Sequence, residues 1–246
     1  MVIEREGWPG NEFGLWLPEC ALSWVNWRGE ASIQNWEVDG TQAVWRYEQE
    51  DSRLETMMRV DHDNECIWYS HEFTNDSDRP LEEVTAQTCF HLVNAPEFIS
   101  IRGERLWACM DGNWSTTDLV PRDKSLDPNR IKLMRCGTGR ERRVEHVEGF
   151  PHSIMPQEAC HPLFIAESMD GKKSVGVASR DMLFLFNNND YILRCIHSEP
   201  VRIASIPPGG SATQEGAILF VDGDHEDLVG RYGEVVPDEW WSVTPG

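Results

Sequence analysis

The 246-residue sequence has no run of about 18 apolar residues, which excludes a transmembrane helix. The opening residues, Met1-Val2-Ile3-Glu4-Arg5-Glu6, lack the apolar segment of a secretory leader, and a cytoplasmic location is expected. No Cys-x-x-Cys pair occurs. The seven cysteines (20, 66, 89, 109, 136, 160 and 195) are odd in number and scattered. This argues against a disulfide framework or a zinc ribbon, and for reduced thiols. Lysine is scarce, with only Lys124, Lys132, Lys172 and Lys173 among 22 basic residues against 42 acidic ones, a formal charge of −20. Nucleic acid is therefore not an expected partner, because phosphate contacts need clustered cations. An anionic membrane surface is disfavoured for the same reason. There is no GxGxxG, Walker loop, GxSxG or HExxH, so nucleotide cofactors, phosphoryl transfer and serine-hydrolase chemistry all lose support.

What is present is β pattern and tryptophan. Ile33–Val38 and Gln42–Glu48 alternate in polarity around Asp39-Gly40, a strong hairpin signal. Arg53–Val60, Cys66–Thr74 and Leu81–Val93 continue the series, and Asn75–Pro80 reads as a turn. Val60–Glu65 reads as a surface hairpin turn, with a calcium site the minor reading, since its spacing is not that of an EF-hand. Ile101–Met110 reads as a strand, and 119–143 as long loops over a binding face. Pro162–Ser168 and Ser174–Ser179 form a hairpin. Met182–Phe186 and Tyr191–Ser198 are strands separated by an Asn187–Asp190 turn, and Ala212–Val221 is a final long strand. Asp224 caps a helix of about ten residues that buries Leu228 and Tyr232 and stops at Pro237. About a dozen strands with one helix predict an all-β sandwich or barrel. No linker divides the chain, so a single domain over 1–246 is expected.

Four constellations carry candidate chemistry. His197, Tyr191 and Cys195 alternate onto one face of a strand whose other face holds Arg194 and Ser198. Asn187 and Asn189 beside them can both donate to and accept from sugar hydroxyls. Gln87, Cys89 and His91 alternate onto one face of another strand, as a buried polar pair or as the floor of a site. His161 sits at the mouth of a third strand and Glu167 towards its far end. His161 together with His91 and His197 would supply three donors for a divalent metal. Trp107 and Trp114 lie near loops, where a flat ring can stack on a pyranose.

The segments Leu163–Ser168, Asn187, Cys195–Ser198, Ile206–Gly209 and Glu215-Gly216, with the turn Phe73–Pro80, resemble the galactose-mutarotase-like supersandwich group. The resemblance covers about 40% of the chain. It implies an antiparallel β-sandwich of supersandwich type, with long middle loops and one short C-terminal helix, and it implies carbohydrate as the ligand. The true mutarotases of that group pair a His base with a late Glu, and His197 and Glu215 are the positions that align. The expected activity is a lyase or epimerase acting on a sugar or uronate by proton abstraction. His197 or His91 is the base, Tyr191 the proton donor or acceptor, and Arg194 the group holding the oxyanion. Gln87, Asn187, Asn189, Trp107, Trp114 and Glu167 bind substrate, and a His-held metal is the alternative electrophile. A non-catalytic carbohydrate-binding module and a structural, partner-binding sandwich are the competing readings. A homo-oligomer is compatible with all three.

Overall fold

The computed structural model describes residues 1–21, 25–26, 35–84, 86–118, 131–135, 152–155, 157–180, 182–188, 194–200 and 203–240. Nineteen strands lie within them. The first half of the chain supplies β1 (Val2–Glu4), β2 (Glu12–Ala21), β3 (Val25–Asn26), β4 (Glu37–Asp39), β5 (Gln42–Gln49), β6 (Ser52–Asp61), β7 (Cys66–Asn75), β8 (Leu81–Val84), β9 (Ala86–Asn94), β10 (Leu106–Met110) and β11 (Asn113–Thr116). The second half supplies β12 (Ile131–Arg135), β13 (His152–Ile154), β14 (Ala159–Glu167), β15 (Ser174–Ser179), β16 (Met182–Asn188), β17 (Cys195–Pro200), β18 (Ile203–Ile206) and β19 (Ser211–Val221), then helix α1 (His225–Val235).

An eight-stranded sheet runs β1-β2-β9-β17-β16-β12-β13, with β3 on β2. A nine-stranded sheet runs β11-β10-β14-β15-β19-β7-β6-β5-β4. All pairings are antiparallel except β12 with β13. The sheets face each other across one apolar layer. Phe13, Leu15, Phe90, Leu92, Leu185 and Ile196 come from the first sheet, and Phe164, Ala166, Val175, Val177, Ile218 and Phe220 from the second. The fold is thus an antiparallel β-sandwich. Helix α1 packs Leu228 and Tyr232 on the far side of the nine-stranded sheet, against Leu163, Ile165, Ala217 and Leu219. No helix among the described residues is long and apolar enough to cross a membrane.

Local chemistry explains the turns. Gly40 adopts φ +59° between β4 and β5, a conformation glycine takes without strain. Asn75 accepts from the Ser77 amide and donates to the carbonyls of Arg79 and Ile206, which fixes the turn before Pro80. Asp61–Glu65 is indeed a turn, held by Asp61 accepting from the Asn64 amide and side chain.

Four expectations change. Within 119–143, expected as long loops, residues Ile131–Arg135 form β12, which pairs with β16 and β13 in the eight-stranded sheet. Leu81–Val93 is not one strand: β8 pairs with β18 in a separate ribbon and β9 joins the eight-stranded sheet. Only Leu106–Met110 of the strand expected from Ile101 forms, because 101–105 bends and Gly103 takes φ +87°. Asn187 and Asn188 lie in β16 rather than in a turn, since β12 and β17 pair with that strand on both sides.

Candidate functional site

Strands β2, β9, β17 and β16 are consecutive neighbours in the eight-stranded sheet. Along β9, Phe90 and Leu92 enter the core, so Gln87, Cys89 and His91 take the outer face. Along β17, Ile196 enters the core, so Cys195 and His197 share that outer face. The register sets Cys195 opposite His91, Phe186 opposite His197, and Gly14 and Trp16 opposite His91 and Cys89. Gly14 suits this packing: a Cβ there would stand 3.0 Å from His91 Cβ, a tight contact.

The cluster is nearly dry: Cys89 is 0%, Cys195 5%, His197 1% and His91 8% exposed. Phe186 stacks on the His197 ring at 3.8 Å, and Trp16 meets His91 edge-on at 4.1 Å. His197 Nδ1–H donates to the Thr88 carbonyl at 2.8 Å, which turns Nε2 towards Cys195 Sγ at 2.9 Å. A carbonyl only accepts, so this contact fixes the tautomer. His91 Nε2 lies 3.3 Å from Cys89 Sγ. The sulfurs of Cys89 and Cys195 and a ring nitrogen of His197 all fall within 4.8 Å of one another. Glu19 Oε2 stands 4.0 Å from His197 Nδ1 and accepts a hydrogen bond from Gln87.

Burial disfavours charge throughout, but the groups respond differently. Burial raises the Cys89 thiol, and the neighbouring Cys195 raises it further. Burial would also raise Cys195, yet the Cys89 hydrogen bond and the His197 charge outweigh it and pull its pKa down. Burial lowers His91. His197 is raised despite burial, because Cys195, Glu19 and the Thr88 carbonyl favour its charged form. The arrangement is an imidazole–thiol dyad with a second thiol beside it.

The predicted site residues divide into separate places. Gln87, His91 and His197 come together on the outer face of the eight-stranded sheet. His161, Glu167, Trp107 and Trp114 lie across the molecule, on the face of the other sheet covered by α1. There the ring of His161 packs 5.3 Å from Trp114 and 5.1 Å from Tyr232. The structure does not bring it to His91 and His197, because residues 161, 163 and 165 of β14 alternate towards the helix. Glu167 accepts from the backbone and ring of His225, and that ring stacks on Trp107 at 3.5 Å. Asn187 points into the core rather than towards ligand, and both of its amide atoms are buried without a partner. Arg194 is half-buried, and its carbonyl accepts from the Leu92 amide. Asn189 and Tyr191 lie outside the described residues. Glu215 pairs with Arg180 at 2.8 Å on β19 of the nine-stranded sheet, not on the sheet that carries His197.

Cys89 and Cys195 were not singled out as donors from sequence. A signal for them exists: Cys89-Phe90-His91 and Cys195-Ile196-His197 repeat a Cys-x-His triplet, whose ends share a strand face.

No protein-family model matches the chain, and no curated protein matches it. Among solved structures it is similar to the galactose mutarotase related enzyme from Lactobacillus acidophilus, at 12% identity and TM-score 0.47, over 80% of this chain and 74% of that one. It is also similar to the Slr1438 protein from Synechocystis sp., at 11% identity and TM-score 0.42, over 76% and 66%. The α-galactosidase from Lactobacillus brevis matches at 9% identity and TM-score 0.46, over 90% of this chain but 28% of its own. The chain therefore spans between about a quarter and three quarters of these proteins. At these values no residue role is carried across.

Proposed function

We propose that the chain is a carbohydrate-active enzyme, a lyase or epimerase, whose site is the outer face of the eight-stranded sheet at β2, β9 and β17. The observation that carries the reading is the convergence of Trp16, Gln87, Glu19, His91 and His197 from three strands onto one face. An aromatic ring beside amide, carboxylate and imidazole groups is the chemistry that binds a pyranose and moves a proton on it. The Cys195–Ser198 run that carries the sequence resemblance forms one of those strands.

The proton-abstracting role belongs to His91 rather than His197. Both ring nitrogens of His197 are engaged, by the Thr88 carbonyl and by Cys195, so it orients its neighbours. His91 Nε2 lies 3.3 Å from Cys89 Sγ, and in the tautomer that carries its proton there the lone pair of Nδ1 is the basic position. A non-catalytic carbohydrate-binding module is the second reading, favoured by the burial of both histidine rings.

Thermal shift against neutral sugars, uronates and oligosaccharides, followed by product analysis, tests both. A ligand at about 100 times its dissociation constant adds roughly 2.7 kcal/mol. His91→Ala is expected to keep the shift and to lower turnover by about 10²–10⁴-fold. Unchanged turnover in the folded variant removes His91 as the base. A shift with no product on any substrate selects the binding module, and no shift with any sugar rejects both readings.

A further inference from the structure

We infer that Cys89, Cys195 and His197 form a binding site for a borderline-soft divalent transition metal, zinc foremost. The geometry carries this. Two sulfurs and one imidazole nitrogen from adjacent strands fall within 4.8 Å of one another, the spacing of donors around a tetrahedral centre. The three residues are at most 5% exposed, so the donors are held by the sheet itself.

An independent feature is the hydrogen bond from His197 Nδ1–H to the Thr88 carbonyl at 2.8 Å. A ligating histidine characteristically gives its second ring N–H to a carbonyl or carboxylate, which fixes the tautomer and aims the other nitrogen at the metal. Here Nε2 is aimed at the sulfurs, with Glu19 near the Nδ1 side. A cation would take the place of the proton held between Nε2 and Cys195 Sγ.

The donor set decides the metal class. Thiolate and imidazole select zinc and its neighbours over calcium or magnesium, which take oxygen. A disulfide is the competing fate of two nearby thiols, and the register disfavours it. Cys195 stands opposite His91, so the two cysteines are diagonal rather than facing. Three protein donors leave a fourth position for water or ligand, the pattern of catalytic rather than closed structural zinc sites.

The metal site shares His197 and the outer face of β9 and β17 with the sugar reading, but it does not depend on that reading, and its test does not use turnover. Protein purified without chelator is analysed for transition metals by mass spectrometry. Chelator-stripped protein is then titrated with Co²⁺ and followed for the thiolate-to-cobalt charge-transfer band. The expected result is one equivalent of metal, a band saturating at one equivalent, and loss of both in Cys89→Ser and in Cys195→Ser. Cys109→Ser, in the other sheet, keeps them. His91→Ala also keeps them, so a failed base assignment and a failed metal assignment give different results. Absence of the band in the wild-type protein overturns the proposal without reference to any variant's folding. So does a band that survives both cysteine substitutions, or recovery of Cys89 and Cys195 as a disulfide.

Discussion

His71 is the residue whose setting has the plainest thermodynamic consequence. It projects from β7 between the sheets, with Nδ1 3.0 Å from Thr56 Oγ1 and Nε2 3.2 Å from Thr88 Oγ1 on the opposite sheet. Burial pushes its pKa down to about 3, against roughly 6.5 in an unfolded chain. As the pH falls below about 6.5 the unfolded chain takes a proton that the folded one refuses. Stability is therefore complete above that pH and declines towards pH 3, by up to about 1.4 kcal/mol per unit. His161, lowered by burial to about 4, adds to the same decline. Urea unfolding at pH 7, 5 and 4 should give falling free energies. His71→Leu should lose roughly 1–3 kcal/mol at pH 7, because two buried hydroxyls lose their partner, and should show a shallower acid slope. An unchanged slope would clear His71 of the effect. Gly216 makes a steric counterpart. A Cβ there would overlap the Tyr69 ring, whose hydroxyl reaches Ser179 at 3.3 Å. Gly216→Ala should cost about 1–3 kcal/mol by the same assay.

Among the elements, α1 is the one whose ends and buried face follow from its own residues. Asp224 accepts from the amides of Glu226 and Asp227, and the Asp227 carboxylate accepts in return from the Asp224 amide, a complete capping box. Leu228 and Tyr232, four residues apart, share the buried face. Leu228 sits over Gly176 of β15, where a Cβ would stand 2.8 Å from its methyl carbon. Asp224→Ala should therefore lower stability by about 1 kcal/mol, within a range of roughly 0.5–2. It should also loosen the helix, which hydrogen exchange at Leu228–Tyr232 would register. Full protection in the variant would mean that packing on the nine-stranded sheet, not the cap, holds the helix.

Over the whole molecule the formal charge of −20 dominates the electrostatics. The exposed pairs Arg46–Glu37, Arg46–Glu55, Arg53–Asp76 and Arg180–Glu215 contribute little, because water and salt screen them. Salt should then act mainly by screening repulsion among the surplus carboxylates. Raising NaCl from about 0.05 to 0.5 M shortens the screening length from roughly 14 to 4 Å. The melting temperature should rise with it, in one transition if the chain is a single domain. A falling melting temperature would mean that the ion pairs outweigh the net repulsion.

What could be read from the sequence was local. The hairpin at Asp39-Gly40, the turns at Asp61–Glu65 and Asn75–Pro80, the capped helix with Leu228 and Tyr232, and the shared face of Gln87, Cys89 and His91 all follow from short-range periodicity and turn chemistry. Those signals span only a few residues, and the structure keeps every one. The division of the candidate site was not legible. Alternation states that Cys195 and His197 share a face, but not that this face lies beside Cys89 and His91. Nor does it send His161, Glu167, Trp107 and Trp114 to the opposite side of the sandwich. Those placements depend on β9 pairing with β17 and on β14 turning its odd residues towards α1. Such pairings are long-range choices made by burying both sheets' apolar faces at once, and no short window of sequence contains them. The residue types and their strand faces were determined by the sequence alone. Which of them meet was decided by the tertiary structure, because strand neighbours are selected by closure of the shared core.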